Sequence, residues 1–298
     1  MKLITQKDLP LKEPTAVAIG LFDGIHKGHS ALINDIKQYK DELKSLVYTF
    51  DTKPNHAAYK NIYTAQEKFS IFSSMQIDAF YMQPFTAEFS QLTKEEFLRR
   101  ITDDFNAKHI TVGFDFRFGK NAEGTAQYLE QQAEKHGYTV RVVPEVLCNE
   151  GKISSTLIRT HIERGEMEST AELLGRFYFI DGIIEKGNSI GAAIGFPTAN
   201  ISTDKLMPKY GVYATFVEIG GKRYSAVTNV GVKPTITDDG TPNIETFIFD
   251  FSDDVYDAAM RVNFVSFLRA ERTFQNVDAL KAQIARDAID ARTLLEKL

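Results

Sequence analysis

The chain has one cysteine, no surplus of positive charge and no apolar run near the length of a membrane span. A lone Cys148 excludes an intramolecular disulfide and points to a reducing compartment. It follows Val146 and Leu147 with no helix-start signal, which argues against a reactive thiol. A formal net charge of −5 argues against a nucleic-acid binder held by a broad basic face. A few local donors would still suffice for an anionic nucleotide. The opening MKLITQKDLP has no signal-peptide apolar region, and no later run approaches roughly 20 residues. The expectation is a cytoplasmic protein with neither membrane nor nucleic-acid partners. No internal repeat or low-complexity tract interrupts the 298 residues. That length suits two domains of ordinary globular composition, 43% hydrophobic and 25% charged.

What is present first is an alternation. Short apolar runs at 16–20, 46–50, 79–83, 109–113 and 139–143 read as buried strands, and helix-periodic segments lie between them. Residues 31–43 read as a helix with Leu32, Ile36, Tyr39 and Leu43 on one face. Phe97, Ile101 and Phe105 share another helical face, and Thr93 before Glu95 and Glu96 looks like its N-cap. Such alternation implies right-handed βαβ units and a parallel sheet, with ligands at the carboxyl ends of its strands.

Three stretches carry chemistry. AVAIGLFDGIHKGH, residues 16–29, runs a strand into a turn with Gly20, Gly24 and Gly28, and His26 and His29 lie within that turn, ahead of the helix. Backbone N–H groups and the helix dipole make this an anion site. VGFDFRFGKNAEGT, residues 112–125, begins where the fourth strand ends. Phe114, Phe116 and Phe118 alternate with Asp115 and Arg117, as a buried strand face or as an aromatic wall beside a ligand. ISSTLIRTHIERG, residues 153–165, places Ser154 or Ser155 at a helix N-cap and Arg159 a turn further in. That arrangement suits a polyphosphate, and it also occurs in ordinary capped helices.

After residue 175 the pattern changes. Runs of β-branched and aromatic residues at 177–184, 210–219, 224–230, 244–251 and 261–268 are separated by hairpin signals at Gly220-Gly221 and Asp238-Asp239-Gly240. Residues 278–298 read as one closing helix. The second half is therefore expected to be a small antiparallel barrel with a C-terminal helix, and the domain boundary lies near residue 180. Its loop GIIEKGNSIGAAIGFPTAN carries Gly187, Gly191 and Gly195 without the G-K-[ST] of a P-loop. Thr198 and Asn200 supply oxygens of the kind magnesium accepts beside phosphate. Glu245 opens a strand, where a carboxylate can act as a general base.

These motifs resemble the prokaryotic bifunctional riboflavin kinase/FAD synthetase family over essentially the whole chain. Carrying the resemblance, in order, are GLFDGIHKGH, VGFDFRFGKNAEGT, ISSTLIRTHIERGE, GFPTAN, NVGVKPTI, IETFIFDF and LRAERTF. It implies a Rossmann-like α/β nucleotidyltransferase domain of the HxGH class at 1–180, which transfers AMP from ATP to FMN. It implies a riboflavin kinase barrel at 181–298. In the first, His26, His29 and Arg159 would be catalytic, with Gly20, Phe22, Asp23, Gly24, Asp115, Phe118, Ser154 and Ser155 about the ATP. In the second, Gly187, Gly191, Gly195, Thr198 and Asn200 would hold ATP, the last two with Mg2+. Glu245 would be the base, and Arg269 and Glu271 would border the flavin. The implied partners are small molecules, riboflavin, FMN, ATP and FAD, with room for weak homo-oligomerisation.

Two positions depart from the family. The usual Pro-His-Pro after the second strand is replaced by Asp51-Thr52-Lys53-Pro54, and Ala192 stands where the kinase loop usually has Arg. An FAD synthetase with a degenerate kinase half is therefore the alternative enzyme. A flavin-binding regulator is the alternative of another class, against which the retained His26, His29, Ser155 and Arg159 argue.

Overall fold

The computed structural model describes residues 1–51, 60–185, 191, 194–232 and 242–298. The chain divides into two compact units, Met1–Ser154 and Ser155–Leu298.

In the first unit, six strands form one parallel sheet among the described residues: β1 (Lys2–Ile4), β2 (Thr15–Ile19), β3 (Lys44–Phe50), β4 (Ala79–Gln83), β5 (Ala107–Gly113) and β6 (Thr139–Val143). Their order is β1-β4-β3-β2-β5-β6. Every residue of β2 is buried, as a central strand covered on both faces demands. The order runs one way through β3 and β4 and the other way through β5 and β6, so the reversal falls at β2 and β5. A topological switch of this kind opens a crevice at the carboxyl ends of the two strands. The turn after β2 lies at that end.

The longer helices, among the described residues, are α1 (Lys27–Lys37), α2 (Ala65–Ser74), α3 (Lys94–Arg99) and α4 (Ala126–His136). The expected span 31–43 is corrected to α1: the helix starts four residues earlier because His26 caps it. It ends at Lys37, beyond which the chain turns back, with Leu43 N–H on the Tyr39 carbonyl. The Phe97–Phe105 face is helical only to Arg99. Residues 100–104 then form one wider turn, closed by Phe105 N–H on the Arg100 carbonyl. Thr93 caps α3 as expected, and Glu96 reaches back to the Thr93 N–H at 2.8 Å. Tyr48, Tyr81, Phe97 and Phe105 meet edge to face in the core beneath the sheet. Truncating one such ring to alanine costs about 3–5 kcal/mol.

In the second unit, α5 (Ser155–Arg164) and α6 (Met167–Leu174) precede the strands. The residue pattern changes near 180, but packing divides the chain earlier because α6 lies on the first and last of these strands. The strands are β7 (Tyr178–Ile183), β8 (Ala199–Ile201), β9 (Gly211–Ile219), β10 (Lys222–Val232), β11 (Pro242–Ile248) and β12 (Ala259–Arg269). They pair antiparallel in the order β7-β12-β9-β10-β11-β8. A bridge from Glu185 to Asn200 joins the two ends of the order, so the sheet curls towards closure. One face carries a row of buried hydroxyls, Thr215 to Thr228 at 2.8 Å and Thr228 to Thr246 at 3.0 Å. The other carries Val227, Phe247 and Phe249, covered by α7 (Val277–Leu295) through Ala291 and Leu295. The hairpin signal at Gly220-Gly221 is the β9–β10 turn, whereas Asp238-Asp239-Gly240 lies outside the described residues. Strands β1 and β8, three residues each, are too short to show a period.

Candidate functional sites

The turn after β2 is held from several sides. Gly20 N–H bonds to the Tyr48 carbonyl at 3.1 Å, and the Leu21 carbonyl accepts from Thr49 Oγ1 at 2.9 Å and Lys68 Nζ at 3.0 Å. Asp23, buried, accepts the Ile62 N–H at 2.9 Å. Between these anchors Phe22, Gly24 and Ile25 take φ of 49°, 90° and 46°. The two non-glycine residues store strain of roughly 1–3 kcal/mol each, which persists only where the surroundings impose it.

His26 is the N-cap of α1. Its Nδ1 accepts the His29 N–H at 3.3 Å, which places the neutral ring's proton on Nε2. The His29 ring stacks on it with centroids 3.7 Å apart and meets the Phe22 ring edge-on at 5.2 Å. A Cβ on Gly28 would press on the His26 ring at 3.1 Å, so the glycine permits the cap. Two imidazoles at a helix N-terminus, beside a strained turn, are an arrangement with the chemistry to receive an anion.

The second motif separates into different surroundings. Phe118 is a core residue, packed on Phe97 at 5.0 Å and Phe116 at 5.4 Å. Phe114 is 45% exposed, with Lys152 Nζ over its ring at 4.3 Å, and Asp115 pairs with that ammonium at 2.6 Å. Alternation thus yields one buried and one open aromatic rather than a continuous wall. In the third motif, α5 begins at Ser155, directly after Ser154, and Arg159 is half-buried on that helix. Ser154 belongs to the first unit, and Ser155 and Arg159 belong to the second.

In the barrel, register assembles a second polar group. Glu245 on β11 stands opposite Asn200 of β8 on one side and Asn229 of β10 on the other. Directly opposed residues share a face, so these three form one row across three strands. Asn243 Nδ2 donates to Glu245 Oε1 at 2.8 Å, while its own buried Oδ1 has no hydrogen-bond partner. Asn229 Nδ2 reaches Glu271 Oε1 at 3.5 Å, and the Glu271 carboxylate lies against Gly231 so closely that a Cβ there would collide with it. The row leads into the Gly195–Asn200 segment. Gly195 has φ 90°, the Gly191 carbonyl accepts the Phe196 N–H at 2.8 Å, and Asn200 Nδ2 donates to the Thr198 carbonyl at 3.4 Å. Gly187 and Ala192 lie outside the described residues, as do Thr52, Lys53 and Pro54.

Arg269 continues the same row, opposite Val212, which in turn stands opposite Asn229. Its guanidinium donates to Asp287 of α7 at 2.7–3.1 Å, and Gln283 completes the carboxylate's shell at 2.6 Å. Asn229, Asn243 and Lys68 were not singled out by sequence reasoning. The strand period places Asn229 two residues before Gly231 and Asn243 two before Glu245, which puts each on its neighbour's face. No local signal marks Lys68, whose partners lie some 17 to 47 residues away in the chain.

Residues 8–157 match the family model for FAD synthetase, and residues 174–295 match that for riboflavin kinase. Bifunctional riboflavin kinase/FMN adenylyltransferases from Listeria monocytogenes and Bacillus subtilis are each 34% identical, over 95% and 97% of this chain and 93% and 96% of theirs. The chain belongs to the bifunctional riboflavin kinase/FMN adenylyltransferase family. The Escherichia coli K12 member is 31% identical over 94% of this chain and 93% of its own. The chain accordingly carries riboflavin kinase and FMN adenylyltransferase activities, and riboflavin, FMN and ATP fit it as substrates. A solved structure titled a macrolide-efflux protein from Streptococcus pneumoniae superposes with a TM-score of 0.87, at 34% identity and 98% coverage of both chains. The two family activities do not call for a membrane span, and among the described residues no helix is long and apolar enough to be one.

Proposed function

We propose that the Gly20–His29 turn is the adenylylation site and the Asn200–Glu245–Asn229 row the phosphorylation site, in functional halves of 1–180 and 181–298. The observation that supports the first is the His26–His29 stack at the N-terminus of α1. A phosphate oxygen of FMN attacks the α-phosphorus of ATP, the bond to the β-phosphate breaks, and pyrophosphate leaves. The FMN phosphate is already ionised, so no protein base is required. His26 and His29 donate to oxygens that gain charge in the transition state, and Gly20, Phe22, Asp23 and Gly24 shape the cradle. Ser154 is assigned to the phosphates by motif. Asp115 and Phe118 are assigned to the nucleotide by motif, Phe118 from its place in the core.

In the kinase half, Glu245 takes the proton of the ribityl 5′-hydroxyl as that oxygen attacks the γ-phosphorus and ADP leaves. Asn200 and Asn229 flank the carboxylate without adding charge. Magnesium favours oxygen donors, and the Thr198 hydroxyl and Asn200 Oδ1 are of that kind; the Asn200 amide nitrogen is already engaged by the Thr198 carbonyl. Bound with ATP at those residues, Mg2+ would neutralise phosphate charge. Glu271 borders the flavin, whereas Arg269 braces α7. Both reactions are assigned to the cytoplasm.

The test is one incubation of the pure chain with riboflavin, ATP and magnesium, followed by separation of the flavins. FMN and then FAD are expected. If no FMN or FAD forms while added FMN still becomes FAD, the kinase assignment fails.

A further inference from the structure

Lys68 is 2% exposed on α2, in a helix whose inward neighbours Ile71 and Phe72 are apolar. Its Nζ donates to the Leu21 carbonyl, the last carbonyl before the Phe22–Ile25 turn. We propose that Lys68 is a positioning residue for adenylylation: its ammonium fixes the Leu21 carbonyl, and adenylylation requires that ammonium charged. The inference rests on the reading of the Gly20–His29 turn as the ATP phosphate site.

Thr49 already satisfies one lone pair of the same carbonyl, so a hydrogen bond alone does not explain a buried ammonium there. Its charge is what a neutral donor lacks. Among the described residues the charges acting on it are the carboxylates of Asp23 and Asp51. Glu67, beside it on α2, is tied to the Thr64 N–H at 2.8 Å, and His29 lies across the Phe22 ring. Burial lowers the Lys68 pKa from its ordinary 10.5 to about 8, against the opposing pull of the two carboxylates. A polyphosphate arriving at the turn adds negative charge on the same side and favours the ammonium. By linkage, ATP binding at this site takes up a proton when the pH is above about 8, and ATP affinity falls there. The substrates' own phosphates lose their last protons nearer pH 6, outside that window.

The experiment uses the full chain and measures the ATP KM of both reactions on each side of pH 8. Above that pH, the adenylylation KM for ATP is expected to rise by up to about tenfold per unit, while the kinase KM does not follow. Lys68→Arg keeps the charge and is expected to abolish the alkaline rise. Lys68→Met is expected to raise the adenylylation KM about tenfold with a flat profile, again leaving the kinase untouched. A parallel alkaline rise in both reactions, or a wild-type KM in Lys68→Met, overturns the inference. If Lys68→Met does not fold, the wild-type and Lys68→Arg profiles decide alone. His29→Ala separates the premise. Full adenylylation in that variant means the turn is not the site, whereas its loss alongside a normal Lys68→Met overturns only the role of Lys68.

Discussion

The imidazole of His26 accepts the backbone N–H of His29 at 3.3 Å while the two rings lie 3.7 Å apart, nearly parallel at 17°. One residue thus caps a helix and presents a donor, and the other is oriented by the first. The two substitutions should differ. His29→Ala removes a transition-state donor and should lower adenylylation by about 10²–10³-fold without loss of stability. His26→Ala should lower the rate as well and also cost about 1 kcal/mol from the lost cap, read from denaturant midpoints. Phosphorylation of riboflavin should survive in both.

Glu245→Gln should remove kinase turnover by at least about a hundredfold while supplied FMN is still converted to FAD. Asn243→Ala leaves the carboxylate in place without its 2.8 Å donor. It should reduce kcat for phosphorylation by about tenfold, with the KM for ATP little changed. Normal phosphorylation by Glu245→Gln would remove the assignment of a base.

Half-buried Arg269 and buried Asp287 make a three-bonded pair between β12 and α7. Asp287→Ala should destabilise the second unit by about 3–5 kcal/mol, because it leaves a guanidinium without its partner. In a double-mutant cycle with Arg269→Ala, non-additivity of at least about 1 kcal/mol is expected. Additive effects would release Arg269 for the flavin.

A comparable test applies to the first sheet. Asp35 accepts from Thr111 Oγ1 at 2.7 Å and bonds His109 Nε2 at 2.8 Å, while His109 Nδ1 meets Thr139 Oγ1 at 2.7 Å. Asp35→Ala orphans His109 Nε2 and Thr111 Oγ1, two buried groups on β5, and should cost about 2–3 kcal/mol by chemical denaturation.

Lys68 also predicts a slope. Its pKa is lowered in the fold, so between about pH 8 and 10.5 the unfolded chain binds more protons and this group's contribution to stability rises with pH. Titration of Lys68 in that window therefore does not itself favour unfolding. Denaturant midpoints of the wild type and Lys68→Met measured across the window should converge at the alkaline end.

Strand–helix alternation, the switch from parallel to antiparallel pattern and the three glycine-bearing motifs were legible because each is local: a period, a turn residue, a cap. What stayed hidden needed distant partners. His26 as a cap is invisible in a scheme that expects Ser, Thr, Asp or Asn. The division of Phe114 from Phe118 depends on which face the core claims, and alternation is silent about that. Lys68 and Asn229 acquire meaning only when α2 meets the β2 turn and when β10 meets β11.

The hydroxyl row through Thr228 and Thr246 lies one residue from the polar row through Asn229 and Glu245, on the opposite face of the same strands. A slip of one position in β11 would turn the Glu245 carboxylate among the threonines and push the Thr246 hydroxyl against α7. Mispaired chains would thus lose the proposed proton acceptor and strand a charge in the same event. Such molecules carry their own penalty, and the kinase reaction becomes a proofreader's record of correct strand pairing.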